Sequence, residues 1–371
     1  MSPWLANLGG EEPGLVPPPI AAHAGALFSL LFAATAESRA RWPKALDPPA
    51  DTPAFGWLDE AALHAWLNTE VAAARAGEIG VPLAGAASEI VRRVHDKAFS
   101  FRFAREHGFE ARSLRGVGNV WEPQALETDD AAKRIRAEIE AWPAWTGQRF
   151  TLKPRFGGSG RGRFGGDSTT SEQAIARALP RLAARGGALL EPWVERTGDL
   201  SAQLHLAPDG SVTLLGTLVQ DVSDSGVYRG HRGRLDHRHR VTSGHAQDAA
   251  LLEAAIATAG AAHAEGFHGP CGIDAFTFRG EAGEELRPVC EFNARFTLGT
   301  IVIGALRRAR GRIERALGPA PGSALEFEFA LDARGAVSAA ESELLLPLAP
   351  GVGPFCACLR VRRAAADIAR G

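Results

Sequence analysis

Apolar and polar positions along the chain recur with two periods, one typical of helices and one typical of strands. The helical period predicts helices over residues 24–36, 59–76, 172–184 and 248–265, and a further helix between Asp96 and Gly108. Asp96 and Ser171 stand directly before two of these helices and are typical N-cap residues. The apolar run 24–36 has about 13 residues, fewer than the roughly 20 that span a bilayer, so we expect a buried helix.

Alternation with a period of two predicts the strands. They cover residues 148–156, 188–191, 203–206, 212–218, 271–278, 286–292, 325–331 and 337–345. An Asp-Gly turn predicts a hairpin of 203–206 with 212–218, and a charged, glycine-containing turn predicts one of 271–278 with 286–292. The last two strands are predicted to close the core as a hairpin with each other. Residues 1–95, which open with a short strand and a glycine turn, are typical of an α/β unit.

Length, composition and charge narrow the class of protein. A chain of 371 residues, 45% hydrophobic and 23% charged, is typical of a globular protein with two or three domains. The net charge of −2 gives no global field for nucleic acid or an anionic membrane, so any positive patch must be local. The four cysteines are too few for a disulfide scaffold, and the N-terminus lacks the basic region of a signal peptide, so we expect a cytoplasmic protein.

A lysine followed by a glycine loop is the first candidate site. Lys153 opens the stretch KPRFGGSGRG, and residues 160–165 formally match the dinucleotide-binding pattern GxGxxG. In a dinucleotide fold the loop opens directly into a helix, whereas residues 167–170 intervene here. An arginine-rich loop after a lysine fits better with a flap over phosphates, although a mobile surface loop remains the plain alternative. A Walker A loop is excluded because no Gly-Lys-Ser/Thr follows.

The second candidate site is a set of oxygen donors far down the chain. Glu291 and Asn293 lie two residues apart on a predicted strand, so their side chains share one face. Asp274 lies on the preceding strand, and a hairpin would bring the three together. Carboxylates with an amide oxygen suit Mg²⁺, and Arg295 on the same face could neutralise a phosphate or carboxylate. The alternative is a solvated strand face.

A third stretch, Glu191-Pro-Trp-Val-Glu-Arg-Thr-Gly-Asp199, is typical of a strand that ends and bends. Exposed backbone at such a bend can hydrogen-bond an adenine edge, and an acid eight residues on can accept from ribose hydroxyls. An ordinary strand exit with a polar turn explains the same residues.

The ordered series of these motifs resembles the ATP-grasp superfamily over residues 96 to about 300. The series consists of Asp96-Lys97, Lys153 with its glycine loop, Glu191-x-Trp193-Val194, Asp199, Asp274 and Glu291-x-Asn293-x-Arg295. The resemblance implies an α/β and α+β protein, in which two lobes clasp ATP behind an N-terminal α/β domain of the pre-ATP-grasp kind. The corresponding domains are residues 1–95, 96–186 and 187–371.

The resemblance also implies a role for each residue. ATP would be bound by Lys97, Lys153, Gly157, Gly158, Ser159, Gly160, Glu191, Trp193, Val194 and Asp199. Within this set the two lysines would reach the phosphates, Glu191 the adenine amino group and Asp199 the ribose. Mg²⁺ would be held by Asp274, Glu291 and Asn293.

One position departs from the family pattern. Several peptide-type ligases carry an arginine two residues before the first metal acid, where this chain has Gly272. The basic segment 228–240 is a candidate source of the missing charge, and Arg229, Arg232 and Arg295 are therefore the candidate catalytic residues. A solvated basic loop is the alternative for this segment.

These expectations combine into an ATP- and Mg²⁺-dependent ligase that activates a carboxylate as an acyl phosphate. The partners would be a small-molecule or peptide carboxylate and a nucleophile, with no nucleic acid and no membrane, and a homodimer is one option for its assembly. Three alternatives stay open: a kinase that phosphorylates a hydroxyl, a nucleotide-binding protein without turnover, and, last, a dehydrogenase.

Overall fold

The computed structural model describes residues 4–10, 21–34, 39, 42–48, 51–158, 161–223, 226–318, 325–331, 343–349 and 357–364. The helices are α1 Ala21–Ser29, α2 Glu70–Ile79, α3 Ser88–His95, α4 Lys97–Glu106, α5 Pro123–Leu126, α6 Ala131–Glu140, α7 Glu172–Ala183, α8 Asp248–Ala264, α9 Leu298–Arg308 and α10 Arg310–Leu317. The strands are β1 Trp4–Leu5, β2 His64–Ala65, β3 Asn119–Trp121, β4 Phe150–Pro154, β5 Phe164–Gly166, β6 Ala188–Pro192, β7 Arg196–Leu206, β8 Val212–Val222, β9 Tyr228–Leu235, β10 Val241–Thr242, β11 Gly269–Gly280, β12 Gly283–Asn293, β13 Leu325–Ala330, β14 Glu343–Ala349 and β15 Ala357–Arg363.

A large sheet forms the centre of the molecule, with the strand order β12-β11-β7-β8-β10-β9-β13-β15-β14 among the described residues. The predicted hairpins β7–β8 and β11–β12 are confirmed. The predicted closing hairpin is wrong, because β13 pairs with β9 and β15 and does not pair with β14. Its residues 337–342 lie outside the described part of the chain. Pairing between distant strands depends on the whole sheet, so the alternation of apolar and polar residues within one strand does not predict its partner.

A smaller sheet, β3-β6-β4-β5, carries the lysine and the glycine loop. Its apolar face packs against α6 and α7 through residues such as Ile135, Leu152 and Ile175, which are completely buried. Strands β4 and β5 are antiparallel neighbours, so the glycine loop joins the two strands of a hairpin. The dinucleotide-binding alternative is therefore wrong, because that fold requires the loop to enter a helix.

The N-terminal segment packs onto the large sheet. Strand β2 pairs in parallel with β1, and its neighbours Leu63, Trp66 and Leu67 are all buried. The predicted helix over 59–76 is therefore wrong in its first half. A continuous apolar run is typical of a buried strand, and the helix begins only after Thr69, whose side chain caps it.

Helix α1 and the turn after it are fixed by aromatic packing and by a buried arginine. Phe28 is fully buried and contacts Trp66 and Phe296 edge-on. Arg308 donates hydrogen bonds to the carbonyls of Leu30 and Phe32 at 3.0 and 2.8 Å, which satisfies backbone acceptors in the turn that follows this helix. Among the described residues, no helix combines the length and the apolar character that a bilayer crossing requires.

Candidate functional site

Residues of both sheets line a cleft of about 1030 Å³, to which the N-terminal segment adds Leu8, Gly9 and Trp66. Of the described residues that line the cleft, seven are Lys or Arg and five are Asp or Glu. A chain with a net charge of −2 therefore has an excess of positive charge in its cleft. This distribution favours an anionic ligand.

The β11–β12 hairpin brings the three predicted oxygen donors together. Asp274 lies directly opposite Glu291, and Asn293 donates from Nδ2 to Asp274 Oδ2 at 2.9 Å. Gln220 of β8 donates from Nε2 to the other carboxylate oxygen, Oδ1, at 2.7 Å. Burial and then the charge of Glu291 raise the pKa of Asp274 to about 6, against the opposing effects of Asn293, Arg295 and Gln220. Two close carboxylates with an amide form a donor set that suits Mg²⁺.

Lys97 connects the glycine loop to these carboxylates. It is the first residue of α4, whose N-cap Asp96 accepts from the Ala98 N–H as predicted. Its Nζ lies 3.0 Å from Glu291 Oε1 and donates to the Gly157 carbonyl at 2.6 Å. Gly157 has φ +132°, a backbone conformation that favours glycine. The lysine thus holds the start of the loop beside the acidic pair.

The second lysine belongs to a buried group of three charges. Lys153 Nζ lies 2.6 Å from Glu191 Oε2, and Arg287 pairs with Glu191 Oε1. Glu191 is almost completely buried and does not line the cleft, whereas Lys153 does. Burial alone would raise the pKa of Glu191, but the charges of Arg287 and Lys153 outweigh it and lower the pKa to about 2. The carboxylate is thus ionised and engaged by two cations.

Sequence reasoning missed Arg287. The register of β11 with β12 shifts between the pairs Asp274–Glu291 and Phe276–Arg287. A shift of this kind breaks the alternation of side chains, so the sequence pattern does not report where this arginine points.

An aromatic and charged wall lies at the hinge between the sheets. The Arg163 guanidinium lies 4.3 Å from the centroid of the Trp193 ring, and Arg196 Nη1 lies 2.5 Å from Asp199 Oδ1. All four residues line the cleft. Val194 does not line it and packs instead on a small apolar cluster with Phe278.

The predicted basic segment 228–240 begins as strand β9, so its interpretation as a solvated loop is wrong for residues 228–235. Arg229 lines the cleft, as expected for a catalytic candidate. Arg232 does not, because it is exposed and pairs with Asp221 at 2.9 Å. His231 is buried, and its Nδ1 lies 2.5 Å from the Tyr228 hydroxyl. Burial lowers the pKa of His231 to about 3, so this imidazole is neutral at physiological pH.

The structure brings most predicted site residues to one cleft. Those that line it are Lys97, Lys153, Gly157, Gly158, Trp193, Asp199, Arg229, Asp274, Glu291, Asn293 and Arg295. Glu191, Val194 and Arg232 do not line it, and Ser159 and Gly160 lie outside the described residues. At Gly272 an added Cβ would lie 2.9 Å from Thr297 Cγ2 and 3.0 Å from Gln203 Oε1, so any larger residue there would have to displace these side chains.

No protein-family model and no curated protein matches this sequence. The fold, in contrast, is similar to solved structures. The biotin carboxylase domain dimer of Hydrogenobacter thermophilus 2-oxoglutarate carboxylase, with MgADP, ADP and bicarbonate, has a TM-score of 0.52 at 17% identity, over 81% of this chain and 70% of that chain. N5-carboxyaminoimidazole ribonucleotide synthetase from Thermus thermophilus has a TM-score of 0.52 at 16% identity, over 83% of this chain and 79% of that chain. Biotin carboxylase from Campylobacter jejuni, in a β,γ-ATP complex, has a TM-score of 0.52 at 15% identity, over 82% and 71%.

These neighbours are ATP-grasp enzymes, and the protein has the ATP-grasp fold, as the sequence motifs indicate. At identities of 15 to 17%, the similarity establishes the fold and leaves the activity to be argued from the site.

Proposed function

We propose that the protein is an ATP- and Mg²⁺-dependent ligase, which activates a carboxylate as an acyl phosphate for attack by an amine or a similar nucleophile. One observation carries this proposal: Lys97 and Lys153 line the same cleft as the oxygen donors Asp274, Glu291 and Asn293. Lysines supply the charge that phosphates require, and the oxygen donors suit the metal that accompanies them.

In the proposed site the nucleotide lies along the small sheet and the hinge. Lys97 and Lys153 contact the phosphates, and the loop at Gly157 and Gly158 covers them. Trp193 borders the adenine and Asp199 accepts from the ribose, whereas Val194 packs behind the cleft wall and has no assigned contact with the nucleotide. Both Glu191 oxygens are already engaged by cations. We therefore assign Glu191 to the positioning of Lys153 and no longer to the adenine amino group.

The donor set of Asp274, Glu291 and Asn293 fits Mg²⁺, because it offers hard oxygen ligands and leaves coordination positions for water and phosphate. A bound Mg²⁺ would neutralise charge that develops on the transferred phosphoryl group. Gln220 orients one of these ligands, because its Nε2 donates a hydrogen bond to Asp274 Oδ1. Proton loss from Asp274, with its pKa of about 6, must precede its use as a metal ligand.

The acid would be held by Arg295 and Arg229 on the cleft wall. A carboxylate is ionised at neutral pH, so its oxygen can attack the γ-phosphorus without a base. The bond between the γ-phosphorus and the bridging oxygen breaks, and ADP is the leaving group. The nucleophile then attacks the acyl carbon, and phosphate leaves. Positioning and charge neutralisation supply the catalysis, and no side-chain nucleophile is required.

The kinase alternative rests on one specific observation. A hydroxyl acceptor needs a positioned base. His231 lines the cleft and its Nδ1 lies 2.5 Å from the Tyr228 hydroxyl, but burial lowers its pKa to about 3, which makes it a weak base for this role. Trapping with hydroxylamine separates the ligase from the kinase, because an acyl phosphate gives a hydroxamate whereas a kinase product is a stable phosphate ester.

The organisation of the chain is part of the proposal. We assign residues 1–95 to an N-terminal α/β domain, 96–186 to the first lobe with the phosphate loop, and 187–371 to the second lobe with the metal site. A homodimer is compatible with the dimer of the Hydrogenobacter thermophilus neighbour. Cys271 and Cys290 carry free thiols among the described residues, which supports a cytoplasmic location.

The first test is nucleotide binding. ATP with Mg²⁺ at about 100 times its dissociation constant should stabilise the fold by roughly 2.7 kcal/mol in a thermal melt. Stabilisation by NAD, with none by ATP–Mg²⁺, would contradict the nucleotide site.

The second test identifies the reaction. ADP release is measured with pools of carboxylic acids and amines, and bicarbonate is included because one structural neighbour was solved with this anion. Hydroxylamine should divert the intermediate to a hydroxamate, with ADP and phosphate as co-products. AMP as product would indicate adenylation, and a stable phosphate ester without hydroxamate would establish the kinase.

A further inference from the structure

A buried arginine lies behind one of the two lysines of the cleft. Arg287 on β12 has a side chain that is 11% exposed, and it pairs with Glu191, whose side chain is 2% exposed. It does not line the cleft. Its guanidinium also lies 5.7 Å from the Phe276 ring, which does line the cleft. A buried cation is costly unless it is paired with an anion, and Glu191 is that anion here.

The charges of the group explain what Arg287 contributes. Lys153 and Glu191 alone would form a neutral pair, and the carboxylate beside the ammonium would repel an incoming phosphate. Arg287 adds a second positive charge on the far side of the carboxylate, at Oε1, while Lys153 contacts Oε2. The three groups together then carry one net positive charge, and only Lys153 presents it to the cleft.

We propose that Arg287 is a positioning residue for the nucleotide: by neutralising and fixing Glu191, it leaves the Lys153 ammonium aligned and with a net positive charge toward the phosphate chain. This inference rests on the proposed ATP site. It makes an arginine outside the cleft a determinant of affinity for polyphosphate and not for the nucleoside.

A merely structural role for Arg287 has different consequences. If the arginine only supported the hinge through Phe276, its loss would disturb the adenine pocket and weaken adenosine and ATP to the same extent. If Arg287 acts through the charge on Lys153, its loss weakens the binding of ATP and leaves the binding of adenosine unchanged. The ratio of the two dissociation constants therefore separates the roles.

The test measures binding of ATP–Mg²⁺ and of adenosine by calorimetry. In Arg287→Met, the dissociation constant for ATP should rise roughly 10- to 100-fold, the effect of losing one charge-assisted contact, with adenosine unchanged. Arg287→Lys keeps the charge and should stay within about threefold of the wild type. Arg279→Met is the matched control, since Arg279 is an exposed arginine on the neighbouring strand β11 that pairs with Glu195.

The double variant Glu191→Gln/Arg287→Met is the decisive arm. It removes both buried charges and leaves Lys153 with its net positive charge, so ATP affinity should return to within about threefold of the wild type. It also tests the inference if the single variant does not fold. Equal weakening of ATP and adenosine in Arg287→Met, or no recovery in the double variant, would overturn the inference. A wild type that binds no ATP would instead refute the ATP site itself, and the inference with it.

Discussion

Replacement of Lys97 by Met should allow the protein to bind a divalent cation without nucleotide. Lys97 Nζ lies 3.0 Å from Glu291 Oε1, and the two side chains are 10% and 19% exposed. At this distance and an effective dielectric constant of about 20, Coulomb's law gives a gross attraction of about 5.5 kcal/mol. A cation that approaches Glu291 must displace the ammonium and forfeit part of this attraction. If Lys97→Met removes about 1.4 to 2.8 kcal/mol of this cost, cation binding should tighten by roughly 10- to 100-fold.

Mn²⁺ is a suitable probe, because it shares the oxygen preference of Mg²⁺ and its free form is measurable by electron paramagnetic resonance. Titrations without nucleotide should show tight binding by Lys97→Met and weak binding by the wild type. Lys133→Met, at an exposed position of α6, is the matched control. Without metal the Lys97→Met variant should melt earlier, because Glu291 is left as an unpaired, largely buried charge, and Mn²⁺ should restore the melting temperature. Equal Mn²⁺ affinity in the wild type and Lys97→Met would refute this reasoning.

Three further outcomes follow from the structure. Glu291→Gln should fold normally and lose Mg²⁺-dependent ATP turnover. The control Glu284→Gln, at an exposed site on the same strand, should keep this turnover. Full turnover by Glu291→Gln would exclude Glu291 as a metal ligand. The folded pKa of Glu191 lies below its ordinary value of 4.5, at about 2, so its ionised form stabilises the fold at neutral pH. This contribution, about 3 kcal/mol, should disappear as the pH falls from about 4.5 to about 2, measured by urea unfolding as the difference between wild type and Glu191→Gln. Phe28→Ala should cost about 3 to 5 kcal/mol of unfolding free energy in the same experiment, and a cost below about 1 kcal/mol would contradict its assigned place in the core.

Local chemistry made much of the candidate site predictable from the sequence. The turn between β11 and β12 specifies a hairpin, and a hairpin with Asp274 and Glu291 near its open end must place the two carboxylates together. The caps Asp96 and Ser171 fix the starts of α4 and α7 in the same way, because a side-chain oxygen satisfies a nearby backbone N–H.

The features that sequence reasoning missed depend on contacts between distant segments. The apolar run before Thr69 fits either a helix or a strand by period, and the parallel partner β1 decides the outcome. The Glu191–Arg287 contact joins residues 96 positions apart across two sheets. Tyr228 contacts His231 within the same segment, yet the polar composition of that segment gave no sign that the imidazole would be buried.

In the proposed site, the pairing of charges at and behind the cleft couples the binding of the metal to that of the nucleotide. Three ion pairs carry this coupling: Lys97 with Glu291, Lys153 with Glu191, and Arg196 with Asp199. A metal ion alone would be repelled by the Lys97 ammonium, and a nucleotide alone would bring its phosphates against Asp274 and Glu291. With both bound, Lys97 would pair with a phosphate, and Glu291 would be free to hold the metal, so each ligand would remove the repulsion that hinders the other. Because such coupling is reciprocal, the factor by which Mg²⁺ tightens ATP must equal the factor by which ATP tightens Mg²⁺.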